Sequence, residues 1–117
     1  MYEIIPTKHF QISVEYYMKK RKYTHIQQDI GPIIQEIETG NLVGVELSNL
    51  NVKSNGRTYK VRAANTDAKV GKSNGYRIIY YVEKDDMEVY LLTIYSKKDD
   101  NRIPSDQEIA ALVEGFL

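Results

Sequence analysis

Four basic side chains in the second half of the sequence have the types and spacing of a phosphate-binding site. Lys60 and Arg62 are two residues apart in an alternating segment, which puts both on one face of a strand, about 6–7 Å apart along it. Arg77 lies in the next such segment, and Lys97 follows the third. Neighbouring strands of a meander could bring all four groups to one surface. Because guanidinium binds phosphate through two hydrogen bonds, the pattern predicts a site for a polyanion.

Such a surface could bind RNA and could also cut it without a metal ion. A base would take the proton from a ribose 2′-OH, an arginine would stabilise the charge that develops on the phosphate, and an acid would protonate the 5′ leaving oxygen. Lysine can act as the base if neighbouring cations lower its pKa. A tyrosine ring can stack on an unpaired base. The residue pattern alone also fits a solvated sheet face, since strands commonly present basic side chains to water.

The distribution of charge along the chain, rather than its total, favours an anion site. The 117 residues include 16 basic and 16 acidic ones, so the net charge is zero. Residues 53–81 nevertheless hold seven basic residues and a single acid, Asp67, whereas residues 103–117 hold three acids and no base. Like charge concentrated in one segment often marks a polyanion site. On charge alone, a basic sheet face exposed to solvent is an equally good interpretation of this segment.

Composition excludes several other classes of site. The absence of cysteine excludes disulfides, thiolate metal sites and cysteine nucleophiles. His9 and His25 are the only histidines, which argues against a catalytic triad or a multi-histidine metal site. The acidic pairs at 85–86 and 99–100 are interpreted as solvated turn residues, so we expect neither a metal nor a cofactor. No apolar run approaches the roughly 20 residues of a membrane span, and the N-terminus lacks a signal-peptide pattern. A single cytoplasmic domain over residues 1–117 is expected.

Hydrophobic periodicity predicts the elements that must position the basic residues. The predicted elements are a strand at 2–6, helices at 7–22 and 24–38, strands at 57–64, 76–82 and 89–95, and a helix from 105. This order predicts an α+β fold in which an N-terminal strand and a helical hairpin pack on one face of an antiparallel sheet, followed by a C-terminal helix.

Three local signals refine this assignment. Thr24-x-x-Gln27 is a candidate capping box for the second helix, and Gly31-Pro32 inside it predicts a kink or two short helices. Gly40 is a plausible stop for that helix. Ser105-x-x-Glu108 is a second candidate capping box.

The C-terminal helix has one apolar face. That face is formed by Ile109, Leu112, Val113 and Phe116. We expect it to dock on the domain or on a partner protein. The acidic residues of the same segment could then screen the basic strands.

Three runs of residues resemble the RelE/ParE superfamily of bacterial toxins. The runs are Tyr-Lys-Val-Arg at 59–62, Gly-Lys-Ser-Asn-Gly-Tyr-Arg-Ile-Ile-Tyr-Tyr at 71–81, and Val-Tyr-Leu-Leu-Thr-Ile-Tyr-Ser-Lys at 89–97. They are most similar to the RelE/HigB-like branch of mRNA interferases from type II toxin–antitoxin systems. The resemblance is strong over residues 57–98 and extends loosely to the whole chain through the order of its elements.

The resemblance implies a ribosome-dependent mRNA endonuclease that a small cognate antitoxin neutralises. It also implies that the protein forms either a homodimer or a hetero-oligomer with the antitoxin. It assigns catalysis to Lys60, Arg62, Arg77 and Lys97. Further RNA contacts are expected from Lys69, Lys72, Tyr95 and Lys98.

The chain also departs from the family pattern. Many members are strongly basic, whereas this chain is neutral, and the family's C-terminal functional tyrosine has no counterpart after Tyr95. Tyr95 or a lysine would have to protonate the leaving group. The ParE branch, which has the same fold but inhibits DNA gyrase without RNA cleavage, is therefore the alternative. A toxin homologue that has lost its activity is a third reading.

Overall fold

A computed structural model of the protein describes residues 1–50, 52 and 55–115. The strands are β1 (Glu3–Pro6), β2 (Val45–Glu46), β3 (Arg57–Ala63), β4 (Tyr76–Glu83) and β5 (Glu88–Ser96). The helices are α1 (Lys8–Lys19), α2 (Ile26–Glu38) and α3 (Asp106–Glu114), with 3₁₀ turns at Lys72–Asn74 and Asp100–Arg102. Among the described residues, none of the helices has the length and apolar character that a bilayer crossing needs.

The five strands form one sheet in the order β1-β5-β4-β3-β2. Strands β3, β4 and β5 make the antiparallel meander that the alternating sequence predicts, and the α+β fold is confirmed. β1 pairs with β5 in parallel, so the sheet is mixed rather than wholly antiparallel. β2 was not predicted, because a two-residue strand has no detectable alternation. It pairs antiparallel with β3, setting Val45 opposite Lys60.

The helices cover both faces of the sheet. α1 and α2 pack on one face, as predicted, over a core that includes Tyr76, Ile78 and Tyr80 of β4. α3 packs on the opposite face, against Ile79 and Tyr81. Because both faces of β4 are covered, its sequence reads as a continuous apolar run rather than an alternation.

The apolar face of α3 docks on the domain, as the periodicity predicts. Ile109 and Val113 are buried in the second core, and Leu112 packs against it half-buried. Phe116, the fourth residue of the predicted face, lies outside the described residues. The Ser105 capping box is confirmed. The Ser105 hydroxyl accepts a hydrogen bond from the backbone N–H of Glu108, and the Glu108 carboxylate accepts one from the backbone N–H of Ser105.

The start of α2 differs from its prediction. His25, not Thr24, is the N-cap residue, and its own side chain makes no capping hydrogen bond. The backbone N–H of His25 donates instead to Oδ2 of Asp67 at 2.8 Å. α2 runs unbroken through Pro32, so the division into two short helices is wrong. It ends before Gly40, as predicted, where a φ of 102° suits glycine.

Candidate nucleic-acid interface

A cavity of about 790 Å³ opens beside β3 and brings most of the predicted site residues together. β2 pairs with β3 only at Tyr59 and Lys60, which leaves the cavity room along the rest of that edge. Six of the eight predicted residues line the cavity: Lys60, Arg62, Lys72, Arg77, Tyr95 and Lys97. The remaining wall comes mainly from α2 and from the segment that leads into β2.

Two arginines lie directly opposite each other in this cavity. Arg62 of β3 and Arg77 of β4 are register partners, so their side chains leave the same face of the sheet. Like charges at directly opposite positions destabilise a sheet. None of the ion pairs within the described part of the chain involves either arginine. A bound anion would relieve this repulsion.

Arg77 already serves a structural purpose. It is only 6% exposed, and its guanidinium donates to the carbonyls of Lys72 (3.0 Å), Ser73 (2.9 Å) and Tyr76 (3.2 Å). Burial lowers the pKa of Arg77, and the charge of Arg62 lowers it further. The bonds to Lys72 and Ser73 fasten the 3₁₀ turn to β4, and the third bond stays within β4. Three of the five guanidinium N–H donors are thus used, which leaves two for a ligand.

Arg62, by contrast, is available to a ligand. Its side chain is exposed, and among the described residues it makes no hydrogen bond or ion pair. An unengaged guanidinium offers a complete bidentate fork to a phosphate. Of the two arginines, Arg62 therefore has the geometry of a ligand-binding group, whereas Arg77 supports the wall behind it.

Three lysines complete the cationic lining. Lys60 is half-buried on β3 beside Arg62, and Lys72 is exposed in the 3₁₀ turn. The backbone N–H of Lys97 donates to the carbonyl of Gly75 at 2.9 Å, which fixes the end of β5 against that turn. The three lysines thus come from β3, from the 3₁₀ turn and from the residue that follows β5.

Tyr95 is poorly placed for base stacking. It is 6% exposed, and its ring belongs to the core beneath α3. Burial raises the pKa of Tyr95, while the charge of Arg77 opposes that rise. The phenol therefore stays protonated at neutral pH and is a weak proton donor. A contact with RNA, which the sequence predicts for Tyr95, would have to be made by the small exposed part of the side chain.

Two predicted RNA contacts lie outside the cavity. Lys69 is exposed in the loop between β3 and β4, with a φ of 58°, and Lys98 is exposed after β5. Neither side chain lines the cavity. Their predicted role in RNA binding stays a prediction that the geometry of the cavity does not support.

Glu36 of α2 is a cavity residue that sequence reasoning missed. It is the one acid among the described residues that line the cavity. With Pro32 and Ile33 it forms the helix face that looks into this space, as expected of residues three and four apart. The helical spacing could have suggested this face, but only the packing of α2 against β3 brings it to the basic residues.

The loop between β3 and β4 is held by α2. Nδ1 of His25 lies 2.7 Å from Oδ1 of Asp67, and Asp29 accepts hydrogen bonds from the backbone and hydroxyl of Thr66 at 2.9 and 3.1 Å. The single acid of the basic segment thus caps a helix instead of neutralising the cavity. His25 is thus a partner that holds this loop in place.

The His25–Asp67 contact predicts a pH dependence. The hydrogen bond to Asp67 raises the pKa of His25 above 6.5, and the same bond lowers the pKa of Asp67. The stabilisation by protonated His25 is complete below pH 6.5 and is lost as the pH rises through the raised pKa. It is also lost in acid, as the pH falls through the lowered pKa of Asp67.

An NMR titration of the His25 ring should therefore give a pKa above 6.5. In Asp67→Asn, which removes the charge but keeps the shape, the value should fall back toward that of a free histidine. Equal values in the two proteins would contradict the contact.

Comparisons with known proteins add no family assignment. No protein-family model matches the sequence, and neither does any curated protein. The resemblance to the RelE/ParE superfamily stays a prediction based on the three sequence runs. Within residues 1–50, 52 and 55–115, no group of three histidine or acidic side chains could hold a metal ion.

Proposed function

We propose that the cavity binds the sugar–phosphate backbone of single-stranded RNA, and that the protein is a metal-independent mRNA endonuclease. The supporting observation is the facing pair Arg62 and Arg77, which have no acid partner among the described residues and share their cavity with three lysines. Bidentate guanidinium groups suit phosphate, and electrostatic stabilisation of the transition state is the main demand of phosphodiester cleavage.

The sequence runs at 59–62, 71–81 and 89–97 add the biological context to this proposal. They favour the toxin of a type II toxin–antitoxin system, which cleaves mRNA on the ribosome in the cytoplasm and is neutralised by a cognate antitoxin. In this reading Arg62 binds the scissile phosphate, and Lys60 or Lys97 protonates the leaving 5′ oxygen.

One observation favours a second candidate, a non-enzymatic toxin of the ParE type that binds DNA gyrase. Three carbonyls already engage the guanidinium of Arg77, so one residue of the predicted catalytic set has a structural purpose. A cationic cavity would then be a surface for a protein partner rather than an active site.

Primer extension on a reporter mRNA in a translating extract tests the proposal. The wild-type protein should produce new 5′ ends within the coding region, and Lys60→Ala should reduce them. The matched control is Lys84→Ala, which removes an exposed lysine from the turn between β4 and β5, outside the cavity. If the wild type leaves the mRNA intact but inhibits DNA supercoiling by gyrase, the second candidate replaces the first.

A further inference from the structure

Glu36 is an acidic residue in a cavity that is lined by several basic residues. Five basic residues line the same cavity, and among the described lining residues Glu36 is the single carboxylate. None of the ion pairs in the described residues includes it. A cavity that only bound phosphate would not need a carboxylate. The presence of Glu36 therefore calls for a chemical explanation.

The side chain of Glu36 is held from one side only. Nδ2 of Asn41 donates to Oε2 at 2.5 Å, while Oε1 has no hydrogen-bond partner among the described residues. The backbone carbonyl of Glu36 accepts from Oγ1 of Thr39 at 2.8 Å and from the backbone N–H of Asn41 at 3.0 Å. Asn41 thus orients the carboxylate through one oxygen, and the described residues leave the other oxygen unengaged.

The position of Glu36 along α2 is electrostatically unfavourable. The C-terminal end of a helix carries partial negative charge and favours cations, yet the last turn of α2 holds no basic residue. An exposed acid there gains nothing from its own helix. The cations across the cavity are the groups that would stabilise its charge.

We propose that Oε1 of Glu36 is the general base of the RNA cleavage reaction, an inference that rests on the proposed endonuclease function. The carboxylate takes the proton of the ribose 2′-OH, and O2′ forms a bond to phosphorus. The P–O5′ bond breaks as the ammonium of Lys60 or Lys97 gives its proton to the departing oxygen. The products are a 2′,3′-cyclic phosphate and a free 5′-OH, with no water, metal or oxidant consumed.

The ordinary ionisation of the two residue types supports this division of roles. A glutamate is normally deprotonated at neutral pH and can accept a proton, whereas a lysine is normally protonated and can supply one. Assigning the base to Glu36 removes the need for a lysine to lose its proton before the reaction begins.

The test compares Glu36→Gln with the control Glu38→Gln, which makes the same change of charge two residues away on α2, outside the cavity. Single-turnover cleavage of ribosome-bound mRNA is measured at neutral pH as a function of protein concentration. Loss of a general base typically costs about 10²–10⁴-fold in rate. Glu36→Gln should lose that factor while its RNA affinity is unchanged, and Glu38→Gln should match the wild type.

A second variant separates a chemical role from a structural one. In Glu36→Ala, added formate should restore part of the rate, because a small carboxylate can occupy the space and accept the proton. Failure of formate to raise the rate, a Glu36→Gln rate equal to the wild type, or an effect on RNA affinity alone would each overturn the assignment. Absence of cleavage by the wild type would instead contradict the endonuclease function itself.

Discussion

Arg62→Ala is expected to slow RNA cleavage by about 10²–10³-fold, the usual cost of removing one donor aimed at transition-state charge. The fold should survive, because the Arg62 side chain is exposed and makes no hydrogen bond or ion pair with another described residue. The melting temperature should stay the same or rise, since the substitution removes the like charge opposite Arg77. Single-turnover cleavage and thermal unfolding of the same preparation measure both effects.

Arg62→Lys is the control for charge. It keeps one positive charge but cannot reproduce the bidentate fork, so the rate should recover only in part. A full rate in Arg62→Lys would show that charge alone is sufficient. A full rate in Arg62→Ala would remove Arg62 from the mechanism.

Arg77→Ala is a poorer test of catalysis than its place in the sequence suggests. The substitution removes the hydrogen bonds that Arg77 donates to three carbonyls of the 3₁₀ turn and the start of β4, and their loss costs stability by itself. A lost activity in that variant would therefore combine a misplaced turn with a missing cation. Unfolding measurements on Arg77→Ala should show the loss of stability that Arg62→Ala lacks.

The sequence predicted the part of the site that depends on local periodicity. Alternation in β3 puts Lys60 and Arg62 on one face, and this holds in the structure. The opposition of Arg62 and Arg77 depends on the register between β3 and β4. Periodicity within one strand predicts which face a side chain takes, but not which residue of the neighbouring strand lies opposite it.

The features that escaped prediction all involve residues distant in sequence. Asp67 caps α2 from 42 positions away, a contact that no capping pattern near Thr24 could reveal. The pairing of Val45 with Lys60 forms a strand too short to alternate. Glu36 belongs to α2, whose apolar face was evident from the sequence. Only tertiary packing determines which residues lie next to the polar side chains beside that face. Local pattern predicted the elements, and packing assembled the site.

Gly75 is expected to be the backbone position on which the cavity wall depends most. A Cβ added there would lie 2.1 Å from the carbonyl oxygen of Ala63 and 2.9 Å from that of Gly71. Both obstacles are backbone atoms, so no side-chain rotation can relieve the clash. Gly75→Ala must therefore push the end of β3 away from the start of β4, beside the Arg62–Arg77 pair.

The expected cost of Gly75→Ala is about 1–3 kcal/mol in the free energy of unfolding, the usual range for overpacking. Urea denaturation measures it, and Gly71→Ala is the matched control because a Cβ there meets nothing within 4 Å. Since the clash acts on the strand ends that hold Arg62 and Arg77 opposite each other, Gly75→Ala should also weaken RNA binding, whereas Gly71→Ala should leave both quantities near wild type. Equal stability of the two variants would mean that β3 and β4 can separate at this point without cost.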